Sequence, residues 1–387
     1  MYYNCLMSLF SFLQKNKEDY SLVFNIGSGS ISGGIIKFTE EPGENIVYYA
    51  KESIPFQSEI SVEKHLELMK STLTTIANKI HSEGLKNLNT GRDKGLVMEK
   101  VFYMFSSPWS ISQTKTIKIK ESRDFKITKK YLSRVINEQE KLFETDISKF
   151  GKIIEKKIIQ IKIDGYEVND FYDKSAKDLE ISLFFTVVPE DILFAVEDAV
   201  SKTFSIKNIW CHSSALSIFS VIRNLFPQKE DFIQLDISEE MTDIAIIKDN
   251  IILGSASIPF GRNHFIRGLS RELKVTEKIA DSQIRMCCAK DHDKLASINI
   301  SVAMDRVSAD WLAKTNEIIN NFKEKIYISE SVFLVTNSDL VPFLKDKLQK
   351  QGFEILLIDN KNITPPMIGD DIIFKLELMF LDNLYKI

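Results

Sequence analysis

Cysteine is scarce in this chain: 387 residues hold four, at Cys5, Cys211 and the adjacent Cys287 and Cys288, with no C-x-x-C among them. A disulfide framework is excluded, and the pattern reads as reduced thiols in a cytoplasmic protein. No apolar run approaches the roughly 18 residues that a membrane-spanning helix requires. An excess of one charge is also missing. The 50 basic and 54 acidic residues leave a net charge of -4, so the whole chain offers no electrostatic footprint for nucleic acid. His65, His81, His212 and His264 are scattered, and neither a Ser/His/Asp nor a Cys/His arrangement assembles from the sequence. Cys287, Cys288, Asp291, His292 and Asp293 carry zinc-type ligands, but a second pair at zinc spacing is absent.

What is present is an ordinary globular balance, 44% apolar and 27% charged, in a length that suits about two or three domains. The start of the chain stands apart. In MYYNCLMSLFSFLQKNK the charges Lys15 and Lys17 follow the apolar stretch, the reverse of a secretory signal. On a helix Leu6, Leu9, Phe10 and Leu13 share one face. That suits an interfacial membrane anchor, a segment docked on a partner, or a helix packed on the protein's own body.

From Tyr20 the pattern turns to strands. SLVFNIGSGSISGGIIKF is two apolar runs about a Gly/Ser turn, a hairpin signal, and IVYYAKESIP supplies a third strand. A helical period follows in VEKHLELMKSTLTTIANKIHSEGL and is expected to stop at Gly84. Residues 101–189 read as an inserted α+β module. VFYMFSS and QTKTIKIK are strands, ITKKYLSRVINEQEKLF is a helix capped by Thr128, and KIIQIKIDGYEV and LEISLFFTVV complete it. Later comes FIQLDISEEMTDIAIIKDNIILGSASIPFG, a second hairpin with a third strand after the tight turn Lys248-Asp249-Asn250. The arrangement of residues 20–60 has recurred. SSPWSISQTKTIKI sets Trp109 beside an alternating strand bearing Lys115, Lys118 and Lys120. Such an edge accepts a partner's strand, or it is a solvated face beside one buried tryptophan, and the sequence leaves both readings open.

Two strand-turn-strand units followed by a late strand-loop-helix resemble the actin, heat-shock-chaperone and sugar-kinase ATPase fold, and within it the FtsA and PilM families. FNIGSGSISGGII is similar to their first phosphate loop, LDISEEMTDIAII to the second, and FLVTNSDLVPFLKDKL to the adenosine loop. QIKIDGYEV through FFTVVPEDI resembles the closing half of their inserted subdomain. The resemblance implies an α/β, actin-like (ribonuclease-H-like) duplicated fold with an inserted strand-helix-strand-strand α+β subdomain. It divides the chain into an N-terminal segment 1–19, a first domain of 20–100, 190–228 and 345–387, the insert 101–189, and a second domain 229–344.

By the same resemblance a nucleotide would lie among Asn25, Gly27, Ser28, Gly29, Ser30, Asp236, Ser238, Asp243, Thr336, Asn337 and Ser338, with Asp236 nearest magnesium. Phosphate loops of this kind donate backbone N–H groups, and glycines let the backbone approach. Carboxylates hold Mg²⁺ mostly through water. All three loops depart from that pattern. Asn25 stands where an acid is expected, Ser238-Glu239-Glu240 where glycines are, and Thr336-Asn337-Ser338-Asp339 where paired glycines are. Each of two glutamates beside a triphosphate costs roughly 1–3 kcal/mol at an effective dielectric near 20 to 40, unless it turns to solvent.

The resulting expectation is a pseudo-ATPase scaffold that binds ATP and magnesium weakly or not at all, with no catalytic residue assigned. Its rival is an active Mg-ATP-dependent ATPase or kinase of the same fold. The resemblance names the partners as a tubulin-like division protein or the tail of a pilus inner-membrane protein. Self-association into filaments and contact with the inner face of the membrane through Leu6, Leu9, Phe10 and Leu13 stay open, with Trp109 as a further partner contact. The chain stops at the helix that completes the fold, which leans toward PilM over FtsA.

Overall fold

The computed structural model describes residues 19–38, 45–88, 98–147, 150–289, 294–324, 326–336, 339–358 and 371–385. The amphipathic stretch with Leu6, Leu9, Phe10 and Leu13 lies outside them.

Three strands open the fold: β1 (Asp19–Ile26), β2 (Ser30–Phe38) and β3 (Asn45–Ser53). Helix α1 (Val62–Lys79) is capped by Ser61, which accepts from the Lys64 N–H at 3.4 Å. It continues through a π-helical turn at Ile80–Gly84 into α2 (Leu85–Leu88), and β4 (Lys100–Phe105) follows. The insert comprises β5 (Ile111–Lys126), α3 (Lys129–Ile147), β6 (Lys152–Ile163), the short β7 (Tyr166–Glu167) and β8 (Ser175–Val188). Helix α4 (Glu190–Ser201), β9 (Asn208–Ser213) and α5 (Ser214–Leu225) return the chain to the first sheet. The second unit runs β10 (Phe232–Ile237), β11 (Thr242–Lys248), β12 (Ile251–Ile258), α6 (Arg262–Leu273), α7 (Glu277–Ala289), α8 (Lys294–Lys323), β13 (Ser331–Val335), α9 (Val341–Lys350) and β14 (Glu354–Leu357). Helix α10 (Ile372–Tyr385) comes after it.

Two five-stranded sheets share one plan, ordered β3-β2-β1-β4-β9 and β12-β11-β10-β13-β14. In each, the first three strands are antiparallel and the rest add in parallel. Several sequence signals act as expected. Thr128 Oγ1 accepts from the Tyr131 N–H at 3.1 Å at the start of α3. Asp249 and Asn250 turn the β11–β12 hairpin with φ of 50° and 62°.

Three expectations need correction. VFYMF is β4, which pairs with β1 and β9, so the insert sheet, ordered β5-β8-β6-β7, begins only at β5. Helix α9 and β14 pack with the second sheet, so residues 345–357 lie in the second unit and not the first. Gly84 does not end its helix. A Cβ there would come within 3.0 Å of Ile35 Cδ1 and Tyr48 Cγ, so the glycine serves close packing on β2 and β3.

The period of two along a strand decides what each face meets. On β10, Ile233, Leu235 and Ile237 enter the core beneath α6–α9. Gln234 and Asp236 therefore face α5 and α10, and Gln234 Nε2 donates to the Ala215 carbonyl at 3.4 Å. Helices α5 and α10 are sandwiched between the sheets, in a core shared by Val23 and Ile36 of the first and Phe333 and Val335 of the second. Each fully buried side chain of this size contributes about 1.5–3 kcal/mol relative to exposure.

One buried ionic group ties the insert to this sandwich. Glu155 of β6 accepts from the His212 Nδ1–H at 2.7 Å and from the Ser213 N–H and Oγ–H, each at 3.0 Å. Lys157 Nζ lies 3.7 Å from the same carboxylate and 4.5 Å from the Phe380 ring centroid. Burial opposes the charge, but His212, Lys157 and Ser213 outweigh it and hold the carboxyl below its usual range. Removing one partner of a buried pair leaves the other uncompensated. Glu155→Ala should cost about 3–5 kcal/mol in denaturant unfolding. A loss below about 1 kcal/mol, the range of exposed pairs, would show that the group is solvated.

Candidate functional site

The strand ends of the two sheets place two equivalent hairpin turns opposite each other. Residues 27–30 close with Gly27 N–H donating to the Ser30 carbonyl at 3.2 Å, and residues 238–241 with Ser238 N–H donating to Met241 at 2.9 Å. Asn25 faces Ser32 across the first hairpin as Asp236 faces Asp243 across the second. Beyond each, the neighbouring parallel strand adds one more bond. Ser106 N–H donates to the Ile26 carbonyl at 3.2 Å, and Thr336 Oγ1 to the Ile237 carbonyl at 2.6 Å.

The turns touch. Ser28 Oγ lies 2.7 Å from Ser238 Oγ and accepts from the Glu240 N–H at 3.1 Å, and Ser28 has no exposed surface. A Cβ on Gly29 would fall 2.1 Å from Glu239 Cβ, so glycine is required here by a protein side chain. Glu240 turns neither into the cavity between the turns nor out to water, whereas Glu239 lines that cavity. Glu239 packs on Gly29, and Glu240 is buried against α6. There Arg267 Nη2 donates to Glu240 at 2.6 Å and Asn263 Nδ2 at 2.7 Å.

Helix α6 completes the closure. Its first N–H groups lack intrahelical acceptors and form a ready anion site. Here Gly261, Arg262 and Asn263 donate them to the carbonyls of Glu240, Ser238 and Glu239 at 3.1, 2.9 and 2.7 Å. Any side chain at Gly261 would meet the Ser238 carbonyl at 2.4 Å. The cavity left between the turns is about 50 Å³, lined by Asn25, Gly27, Ser30, Lys51, Glu239 and Arg262 among others. In the same measure one water needs about 10–15 Å³, so the space between the turns holds a few small groups at most. Ser28 on Ser238 and Glu239 on Gly29 take the place between the turns that the resemblance gives to a phosphate. Among the described residues no group of three His, Cys, Asp or Glu side chains could hold a metal ion.

Helix α10 and the residue before it supply two carboxyl groups to the first-sheet side. Glu377 Oε1 accepts from Asn25 Nδ2 at 2.6 Å and from Ser214 Oγ at 2.5 Å. Asp371 Oδ2 accepts from Ser32 at 2.5 Å and Tyr49 at 2.9 Å, and pairs with Lys51 at 3.0 Å. Asp236 Oδ1 and Glu377 Oε2 have no hydrogen-bond partner. Burial, then the carboxylates of Asp243, Glu377, Glu239 and Asp371, push Asp236 well above its ordinary range. Burial lifts Glu377 to about 8. Burial also raises Asp243, against hydrogen bonds from Ser257 and Ser107. With Lys51 bound to Asp371, protons supply much of the neutralisation in this cluster.

The structure thus brings Asn25, Gly27, Ser28, Gly29, Ser30, Asp236, Ser238, Asp243 and Thr336 to one cleft, while Asn337 and Ser338 lie outside the described residues. So do Asp291, His292 and Asp293. Asp339 is bonded bidentately by Arg262, at 2.8 Å twice, and Arg262 also pairs with Asp281 at 2.6 Å. Trp109 is no surface contact. It is 4% exposed, and its Nε1–H donates to the Gly27 carbonyl at 2.8 Å, because the turn after β4 folds against the end of β1 through Ser106. Sequence reasoning missed Lys51, Arg262, Arg267, Asp371 and Glu377. For Glu377 a signal existed: an acid inside the apolar run FKLELMFL.

Two measurements test this geometry. Gly29→Ala should destabilise by about 1–3 kcal/mol through overpacking, and adding Glu239→Gly should restore most of it. Strictly additive losses in denaturant unfolding would mean that the turns do not touch. The second concerns pH. Glu377 keeps its proton to about pH 8 when folded and loses it near 4.5 when unfolded. The folded state binds more protons in that window, so stability falls as pH rises from about 4.5 to about 8. Glu377→Gln should flatten the decline in thermal midpoint between these limits, Asp236 leaving a remainder of the same sign. An unchanged slope would refute the assignment.

No protein-family model and no curated protein matches the chain. Among solved structures, the PilM-PilN type IV pilus biogenesis complex contains a chain similar to it with a TM-score of 0.61 at 10% identity, over 94% of this chain and 97% of that one. The ethanolamine utilization protein EutJ from Carboxydothermus hydrogenoformans gives 0.44 at 11% identity over 92% and 90%. MreB 5 of Spiroplasma citri bound to AMPPNP gives 0.42 at 10% over 89% and 92%. The duplicated sheets, the helices between them and the full-length match to the PilM-PilN complex agree: this chain has the actin-like ATPase fold.

Proposed function

We propose that the chain is a scaffold or adaptor that uses the actin-like fold without efficient ATP hydrolysis. It would work at the inner face of the cell membrane, in type IV pilus assembly or cell division. Its partner is the tail of a pilus inner-membrane protein or a tubulin-like division protein. The observation that carries this reading is the contact of the two hairpin turns. Ser28 bonded to Ser238, with Glu239 on Gly29, holds the units together by protein groups where a nucleotide-dependent relative needs a phosphate. The similarity in fold to the PilM-PilN complex supports the pilus arm. Among the described residues no helix is long and apolar enough to cross a membrane, in keeping with attachment through a partner.

The retained pair Asp236 and Asp243 favours a second reading, an active Mg-ATP-dependent ATPase or kinase. Calorimetry separates the two. The scaffold reading expects no heat of binding for MgATP up to about 1 mM, where a dissociation constant corresponds to only about 4 kcal/mol. It also expects a tagged chain to recover pilus inner-membrane components or the division protein equally well with and without MgATP. Magnesium-dependent binding at micromolar affinity would establish the enzyme reading instead.

A further inference from the structure

The units are also joined along a second edge of the cleft, by the segment between β3 and α1. The Gln57 carbonyl accepts from Arg267 Nη1 at 3.0 Å, and Ser58 Oγ donates to Glu277 at 2.8 Å. The Arg267 guanidinium lies 5.6 Å from the Phe56 ring centroid while it binds Glu240. Helices α6 and α7 of the second unit therefore clasp residues 56–58 of the first. Beneath the clasp lies His65, in the first turn of α1 and 5% exposed. Its ring stacks on Trp109 with centroids 5.0 Å apart and planes 9° from parallel. Gln57 Nε2 lies 3.0 Å from His65 Nδ1, and, with the Ser28 backbone beside the ring, His65 Nε2 makes no hydrogen bond of normal geometry.

The chemistry follows from the donor inventory. With the Gln57 amide nitrogen toward the ring, Nδ1 accepts and the neutral ring carries its hydrogen on Nε2. Protonation would turn Nδ1 from acceptor to donor, so that the Gln57 amide must turn over to keep the contact, and would place a second cation beside Arg267. The charged groups facing the ring are Arg267 of α6 and Glu240 of the second hairpin, with the Ser28 backbone of the first hairpin beside it. On its own element and the segment before it, Glu59, Glu63, Lys64 and Glu67 are exposed to solvent. Burial, aided by Arg267, pushes His65 below its ordinary range against the pull of Glu240 and Ser28.

We propose that His65 is a proton-operated latch between the two units. Neutral, it holds the Gln57 side chain and so the position from which the Gln57 carbonyl accepts Arg267. Protonated, it gives up that bond, repels Arg267 and releases residues 56–58, so the units part along this edge. The sign is fixed by linkage. A histidine depressed in the folded state binds fewer protons there than when unfolded, so its contribution is full above about pH 6.5 and declines below it. This is opposite to Glu377, which allows the two to be told apart.

Hydrogen–deuterium exchange on the full chain at pH 7.5 and 5.5, corrected for intrinsic rates, tests the latch. Peptides covering residues 54–66 and 261–270 should lose about tenfold protection at the lower pH, the factor that one proton gives per pH unit. His65→Phe keeps a ring on Trp109 and cannot titrate, so its response should vanish in these peptides. If the phenylalanine chain does not fold, His65→Gln is read in the same way. Equal protection of the wild type at both pH values, or a response that persists in the variant, would overturn the proposal.

Discussion

Two hairpin turns that belong to different units meet at hydrogen-bond distance, and most of the cleft is arranged around that meeting. With Ser28 against Ser238 there is no room for a side chain at position 29, and Glu239 fills what space remains. The carbonyls of the second turn point at the start of α6, so the N–H groups that would favour an anion are committed to protein oxygens. Glu240 is drawn to Arg267 on the same helix, and Arg267 reaches on to Gln57 in the first unit. Each residue is placed by the closeness of the turns, and each in turn keeps them close.

The charges of the cleft obey the same closure. Asp236 and Glu377 sit where water is largely excluded, Asp243 is half-buried beside them, and Lys51 is engaged with Asp371. In a low dielectric an uncompensated carboxylate is costly, and a bound proton is the cheapest remedy available. Two hydrogen bonds to Glu377 Oε1 and an unpartnered Oε2 fit a carboxyl group held neutral. Such a network adds little net stability but fixes which surfaces face each other.

Much of the fold was legible because it rests on local pattern. Apolar runs about polar turns marked β1, β2, β10 and β11, and the Asp249-Asn250 turn is the one that left-handed backbone at two successive residues demands. The duplication was visible for the same reason. What could not be read was decided by packing across long separations. An apolar run such as β4 looks alike in an insert or in a central sheet, since both faces are buried either way. The sequence reading weighed phosphate and solvent for Glu239 and Glu240. Arg267, 27 residues further on, entered only once α6 lay beside the turn. Of the residues that neutralise or complete the cleft, Glu377 lies 352 residues from the asparagine it accepts from.

That distance has a consequence for assembly. The first hairpin and α5 emerge earlier in synthesis, with Asn25, Ser32 and Ser214 facing a place later taken by Asp371 and α10. Closing a loop of that length carries an entropic cost of only a few kcal/mol, but it cannot be met until the helix exists. Until then the polar side of the first sheet and the apolar side of α5 stay wet together, so the first unit has strands and turns before it has a finished interior. The sandwiched helix acts as a late keystone: the core that the two sheets share is complete only when α10 is in place and Glu377 has reached Asn25.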